Sequence, residues 1–399
     1  MFLIDTTEQT IFPKAKNIRY ELISFDEENK IADFLTSLNP DLAIASTFYV
    51  TPFDWLTAKD ALVAKYLRQN GIKTLCHNLN TALACFDKWH THTTLEQLGI
   101  NVPKAVYVNH SLFINAGNRK TIKSNVYKTA LLEQIKELNF PVVIKDTTGL
   151  SSYGMDVLES FAQVYDWLKS KKFTSDRIIE EFIKGEQFGT EVEAVYNQQT
   201  GTFNYHILPP FIFSVNKYGI TSPKQSIKAG PVTAECYKLN ELNSMLLKIA
   251  QNLNFQGLAQ FDLVFNGTKW FVIEINPRLS GLTHSGNALK NIFMGERLFS
   301  LSGLSKNQTQ PQNLVLNIKL SLLEDTELSE LSSLNYIKHI YQIENKKARQ
   351  LRERGYCEVI LCAKTKPQLE QNLDDLYKKF TNKIEESFYQ KAKKLLNKL

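Results

Sequence analysis

The stretch FDLVFNGTKWFVIEINPR, Phe261–Arg278, carries two alternations around one turn. Asn266-Gly267 is a strong hairpin signal, because both residues tolerate positive φ. Before it, Phe261, Leu263 and Phe265 alternate with Asp262 and Val264. After it, Phe271, Ile273 and Ile275 alternate with Val272, Glu274 and Asn276. A strand with period two places such sets on opposite faces. Both apolar sets meet one core if the turn has an odd number of residues, such as Asn266-Gly267-Thr268 with a bulge. Phe261 is then expected opposite Ile273, and Asp262, Glu274 and Asn276 share the polar face. Two carboxylates and an amide oxygen are hard ligands, suited to one or two Mg²⁺ ions (or Mn²⁺) that also bind substrate phosphates. The plainer reading is a solvated face with incidental acids. It weakens because the polar residues recur within one strongly apolar hairpin. Arg278 follows at once, placed to meet a phosphate or carboxylate bidentately.

Upstream, PVVIK ends an apolar strand at Lys145, and a loop holding Gly149, Ser151, Ser152 and Gly154 follows. Backbone N–H groups in such a loop converge on anionic oxygens, and the lysine adds charge. The loop is not G-x-x-x-x-G-K-[ST], which argues against a P-loop. A surface glycine loop is the bland alternative. Between these pieces, IIEEFIKGEQFGTEVE (Ile178–Glu193) ends a strand at Glu180-Glu181-Phe182-Ile183 and turns at Gly185. It reads as a hinge for a nucleobase edge, or as any edge strand.

The rest of the chain frames these stretches. Its 399 residues allow two or three domains. With 43% hydrophobic and 22% charged residues it is ordinary globular composition. Net charge is +6 with pI near 8.8, which fits acidic small molecules at least as well as nucleic acid. No apolar run reaches the roughly 18–20 residues of a membrane span, and MFLIDTTEQTIF has no signal-peptide pattern. Five scattered cysteines without C-x-x-C predict reduced thiols and a cytoplasmic location. Strands at ELISF, DLAIAS and IKTLC alternate with helices, which predicts a small parallel sheet without a G-x-G-x-x-G dinucleotide loop. One helix is expected over Phe86–Leu98. The segment Ser214–Thr233 lacks periodicity and reads as a lid or binding loop. The last residues read as a third unit, with a surface or dimer-contact helix carrying Phe380, Ile384, Phe388 and Leu395. His90 and His92, two apart on a helix, do not form a metal pair. His284 either approaches the substrate or packs.

The order of these pieces resembles the ATP-grasp superfamily. FPVVIK and SSYGM are similar to elements of D-alanine–D-alanine ligases. EINPR resembles the E-[IVM]-N-x-R stretch of carbamoyl-phosphate synthases and biotin carboxylases. FDKWHTHTTLEQLGINVPK is similar to the segment that opens that fold, and RGYCEVILCAKTKPQLEQ to the small C-terminal unit of amino-acid ligases. The match is good over about Phe86 to Asn287 and loose at both ends.

The resemblance implies an α/β (α+β) ATP-grasp chain: a parallel-sheet N-terminal domain (1–100), a two-lobed core (101–183 and 184–305) and a C-terminal α+β unit (306–399). It implies ATP and Mg²⁺ as cofactors. Lys88 and Lys145 would contact phosphates, and Ser151, Ser152 and Gly154 would cover the β- and γ-phosphates. Glu180 would bind the adenine amino group, and Glu181 and Ile183 would read the base through backbone atoms. Asp262, Glu274 and Asn276 would hold the metal. Arg278 would sit by the γ-phosphate and acyl intermediate, with Lys228 as a further phosphate contact. Gln187 stands where the family has a ribose-binding Glu, with Glu186 one place early. Asp146 replaces a small residue or proline, and Gln260 replaces an arginine of D-alanine ligases. The implied activity is a carboxylate–amine ligase acting on amino-acid-like carboxylate and amine substrates, with dimers expected and neither membrane nor nucleic acid as partner. The rivals are a bicarbonate-activating enzyme and a nucleotide-binding protein without turnover.

Overall fold

The computed structural model describes residues 2–5, 16–46, 55–115, 124–148, 155–218, 225–305, 310–342 and 355–399. Among the described residues, the N-terminal region holds two short parallel pairs rather than one continuous sheet. β1 (Phe2–Asp5) pairs with β2 (Arg19–Leu22), and β3 (Ala43–Ile44) with β4 (Thr74–Leu75). Helices α1 (Glu28–Ser37) and α2 (Trp55–Gln69) pack beside them. The helix expected over Phe86–Leu98 is broken at Asp87. α3 (Leu79–Phe86) ends there, and the Asp87 carboxylate accepts the His90 N–H at 2.8 Å to start α4 (Lys88–Gln97). An acid at the N-cap satisfies a donor the helix leaves open.

A four-stranded antiparallel sheet follows, in the order β5 (Ala105–Val108), β8 (Arg177–Glu181), β6 (Val142–Asp146), β7 (Asp156–Leu158). One face is apolar: Val142, Ile144 and Ile179 meet Phe113, Leu131, Ile135, Val164 and Trp167. Those come from α5 (His110–Ile114), α6 (Val126–Lys136) and α7 (Phe161–Lys169). The other face carries Lys145 and Glu180.

The dominant element is a nine-stranded sheet. Its path runs β14 (Trp270–Asn276), β13 (Leu258–Phe265), β9 (Glu186–Asn197), β11 (Phe211–Ser214), β12 (Ile227–Gly230), β15 (Leu314–Leu320), β17 (Cys357–Ala363), β16 (Ile337–Gln342), with β10 (Thr202–Ile207) paired to β9. β12 lies inside the segment expected to be a loop. β15 to β17 continue the same sheet, so the C-terminal residues share its core. One face buries Phe188, Ile212, Ile227, Phe261, Leu316 and Val359. Against it pack α8 (Leu239–Asn252), α11 (Asp325–Ser333), α12 (Lys366–Lys379) and α13 (Glu386–Leu396). Each fully buried Leu, Ile or Phe contributes about 1.5–3 kcal/mol. Phe380, Ile384 and Leu395 lie inside this core, which corrects their reading as a surface or dimer stripe. Only Glu386–Leu396 of that stretch is α-helical; Phe380 and Ile384 flank a 3₁₀ turn. On the opposite face lie α9 (Thr283–Lys290) and α10 (Met294–Leu301). No helix among the described residues is long and apolar enough to cross a membrane.

The β13–β14 register differs from the expected one. Phe261 lies opposite Ile275, and Phe265 opposite Trp270 across a four-residue loop. The Asn266 side chain accepts from the Thr268 and Lys269 N–H groups and closes that loop. A bulge leaves Ile273 outside the ladder. The extra residue switches the facing of the strand. Trp270 and Val272 point to the core before it, and Ile275 after it.

Candidate active site

The bulge sets Asp262 directly opposite Glu274, and Gln260 opposite Asn276. Directly opposed residues share a face, so the expected polar set is assembled despite the altered register. Its members are linked. Arg278 Nη2 donates to Asn276 Oδ1 at 3.0 Å, Asn276 Nδ2 to Gln260 Oε1 at 3.0 Å, and Gln260 Nε2 to Asp262 Oδ1 at 2.8 Å. Lys88 Nζ lies 3.1 Å from Glu274 Oε1. Burial and the facing Glu274 push the Asp262 carboxyl up, to about 6. Burial also opposes ionisation of Glu274, but Lys88, with Lys145 and Arg278 behind it, holds that group below its usual range. Two facing carboxylates, one strained when ionised, are what a hard divalent cation relieves, and the residues fit Mg²⁺. Among the described residues no three His, Cys, Asp or Glu side chains gather as a metal cluster. The third protein ligand would be the Asn276 amide.

The second half comes from the four-stranded sheet. Lys145 and Glu180, both nearly inaccessible, form an ion pair on its free face. The Lys88 N–H donates to the Thr147 carbonyl at 2.7 Å, which docks the start of α4 against the end of β6. Lys88, Glu180, Ile273 and Glu274 therefore line one cleft between the two sheets. The Glu181 N–H is committed to the Lys104 carbonyl, and its carboxylate accepts from Asn139. The Glu181 N–H is therefore not a backbone atom left to read a base. No backbone partner engages the Ile183 amide among the described residues. Ser151, Ser152 and Gly154 lie outside the described residues.

Strand facing sorts the remaining candidates. Gln187 lies two residues before Gly189, which is opposite Asp262, so it shares the face of the metal set. Glu186 points the other way, bonded to Tyr237 and ion-paired with Lys398. Lys228 also lies on the metal-bearing face, 5.4 Å from the Phe213 ring, and donates to the Gly281 carbonyl at 3.0 Å. Any Cβ at Gly189 would meet the Phe213 ring at 2.3 Å.

Sequence reasoning missed the support beneath this face. Arg297 is fully buried between Glu191 (2.8 Å) and Glu193 (2.7 Å), and Lys290 meets Glu193 at 2.8 Å. Thr283 donates to Glu191 at 2.7 Å and accepts the Ser280 N–H at 2.9 Å, which fixes the turn after Arg278. The one signal was Glu191-x-Glu193 set among Phe188, Val192, Ala194 and Val195.

Comparisons with known proteins bear on the family and the fold. A family profile described as an ATP-grasp domain matches residues 85–282. A D-alanine–D-alanine ligase of Buchnera aphidicola (subspecies Schizaphis graminum) is 26% identical over 205 residues, covering 50% of this chain and 60% of that ligase. An N5-carboxyaminoimidazole ribonucleotide synthetase solved as an ADP complex superposes with TM-score 0.67 at 16% identity, over 94% of this chain and 89% of that one. An L-amino acid ligase from Bacillus licheniformis gives TM-score 0.63 at 16% identity, over 92% and 86%. At these identities the solved structures speak for the fold.

Proposed function

We propose, from the premise that residues 85–282 make this chain a member of the ATP-grasp family, that it is an ATP-dependent carboxylate–amine ligase working through an acylphosphate. The observation that carries the proposal is the facing pair Asp262 and Glu274, with Lys88 ion-paired to Glu274, across the cleft from Lys145 and Glu180. One wall offers metal ligands and the other offers cation and hinge.

In this reading Glu180 and the Ile183 backbone receive the adenine, and Gln187 reaches the ribose with a neutral amide. Lys145 and Lys88 meet the phosphates. Asp262, Glu274 and Asn276 would hold Mg²⁺, which would supply charge neutralisation at the phosphates. A substrate carboxylate attacks the γ-phosphorus, the bond to ADP breaks, and Lys228 and Arg278 offset the anionic charge there. The amine then attacks the acyl carbon. Arg278 faces the developing oxyanion, and phosphate leaves. Amino-acid-like substrates are proposed because the D-alanine–D-alanine and L-amino acid ligases share sequence or fold with this chain. A reducing, ATP-rich cytoplasm suits the five free cysteines.

The test is ADP and phosphate release from Mg·ATP over amino acids offered singly and in pairs, with and without bicarbonate. Release dependent on a pair, with a new amide by mass, supports the ligase. Release dependent on bicarbonate alone contradicts it.

A further inference from the structure

The metal-bearing face of the large sheet does not end at Lys228. Following directly opposed residues, Asp262 faces Gly189 and Gly189 faces Phe211; Phe213 faces Lys228 and Lys228 faces Asn317. Lys319 then faces Glu358, and Ile360 faces His339. All of these side chains project from one side. The result is a strip from the metal carboxylates to β16, apolar at Phe211, Phe213 and Ile360 and polar at Lys228, Asn317, Lys319, Glu358 and His339, with α9 packed over its β15–β17 part. Its members are bonded. Glu358 takes Lys319 at 2.8 Å and Asn317 Nδ2 at 3.0 Å, and that amide also meets Ser285 Oγ at 3.1 Å. His284 of α9 stacks on His339, with ring centroids 3.8 Å apart and planes 13° from parallel.

Within this bonded strip, His339 Nε2 is out of contact with water and has no hydrogen-bond partner among the described residues. A buried polar atom without a partner is costly to keep. Folding alone gives no reason to place it beside Glu358 and on the face that carries the metal ligands.

We propose that this strip is the acceptor subsite of the ligase, that it takes the amino group of an α-amino acid, and that His339 Nε2 receives the proton the nitrogen gives up as the amide forms. The inference rests on the ligase reading and names its nucleophile. From β12 to β16 the strip sets Lys228 and Lys319 against the single Glu358, so that part of it carries net positive charge. That disfavours a bound ammonium and favours an unprotonated amine carried by a molecule with its own carboxylate. Burial, with His284 alongside, holds the His339 imidazole to about 4, and burial holds His284 below its usual range. Both rings are therefore uncharged and able to accept. Glu358 stays ionised although burial opposes it, because Lys319 and Lys228 more than offset that burial. Its charge favours imidazolium as it forms on either ring. Lys228 bears on Asp262 as well as on Glu358, so the strip is electrostatically continuous with the metal site.

The amine reaches the strip uncharged, having left one proton in water. Its lone pair forms the C–N bond, the C–O bond to phosphate breaks, and phosphate leaves with that electron pair. The remaining surplus N–H proton passes to His339 Nε2.

The test uses hydroxylamine, which is uncharged at neutral pH and traps acylphosphates without a base. Wild type and His339→Gln are given Mg·ATP with each amino acid alone plus hydroxylamine, then with amino-acid pairs. The expected result is a fall of roughly a hundredfold in amide formation by His339→Gln. Hydroxamate formation should stay within about twofold of wild type. Unchanged amide formation overturns the proposal. So does parallel loss of amide and hydroxamate in a variant that unfolds like wild type. His339→Asn serves if the glutamine variant does not fold. Absence of both ADP and hydroxamate in the wild type overturns the ligase reading itself, and the acceptor assignment with it.

Discussion

Replacing Asp262 by Asn should make the metal-free protein more stable, although Asp262 belongs to the site. Ionised Asp262 is the strained form, because it is partly buried and faces Glu274. A rise from the ordinary 3.8 to about 6 corresponds to about 3 kcal/mol at about 1.4 kcal/mol per pH unit. Water reaches part of this face, and screening reduces the figure to about 1–3 kcal/mol. The sign follows from proton linkage. The native state binds this proton more tightly than the unfolded chain. The penalty is absent below the unfolded value near 3.8 and complete above about 6. Asn keeps the acceptor for Gln260 Nε2, so that bond survives. Denaturant unfolding of wild type and Asp262→Asn is measured at about pH 7.5 and about pH 4 with EDTA. The variant should gain stability at the higher pH and nothing at the lower. Adding Mg²⁺ should then stabilise wild type and leave the variant unmoved, since only a native-state ligand raises stability. A variant no more stable than wild type at the higher pH, or one stabilised equally by Mg²⁺, refutes the reasoning.

Three more outcomes are expected. Lys145→Ala strands the buried Glu180 carboxylate and should cost about 3–5 kcal/mol by denaturant unfolding; adding Glu180→Gln should recover most of that, and neither protein should release ADP. Gly286→Ala would place a Cβ 2.6 Å from Glu191 Oε2 and 2.8 Å from Arg297 Nη1, so thermal unfolding should show a loss of about 1–3 kcal/mol, as for other overpacked sites. Gln187→Glu puts an acid on the face of the metal set, and steady-state kinetics should show a lower KM for ATP with kcat little changed.

Much of this architecture was legible because it is local. The hairpin announced itself through Asn266-Gly267 and two alternations, and PVVIK and RIIEE stand out as apolar strands. The register was not legible. A bulge at Ile273 preserves every residue type while shifting the partner of Phe261 from Ile273 to Ile275. The polar set survived the error because Asp262 and Glu274 remain on one face with or without the bulge. The strip from Lys228 to His339 was hidden for another reason. Its members lie on β12, β15, β16, β17 and α9, over a hundred residues apart, and only antiparallel pairing brings them together. Phe380 and Ile384 read as a surface stripe because their pattern does not reveal that the sheet above them continues through β15 and β17.

The central claim is that a substrate carboxylate takes the γ-phosphoryl group before any amide forms. The direct measurement uses the amino acid that supports ADP release, labelled with ¹⁸O in both carboxylate oxygens. The account predicts that the released phosphate carries one labelled oxygen, transferred when the acyl C–O bond breaks. Unlabelled phosphate released alongside an equal amount of amide would contradict it.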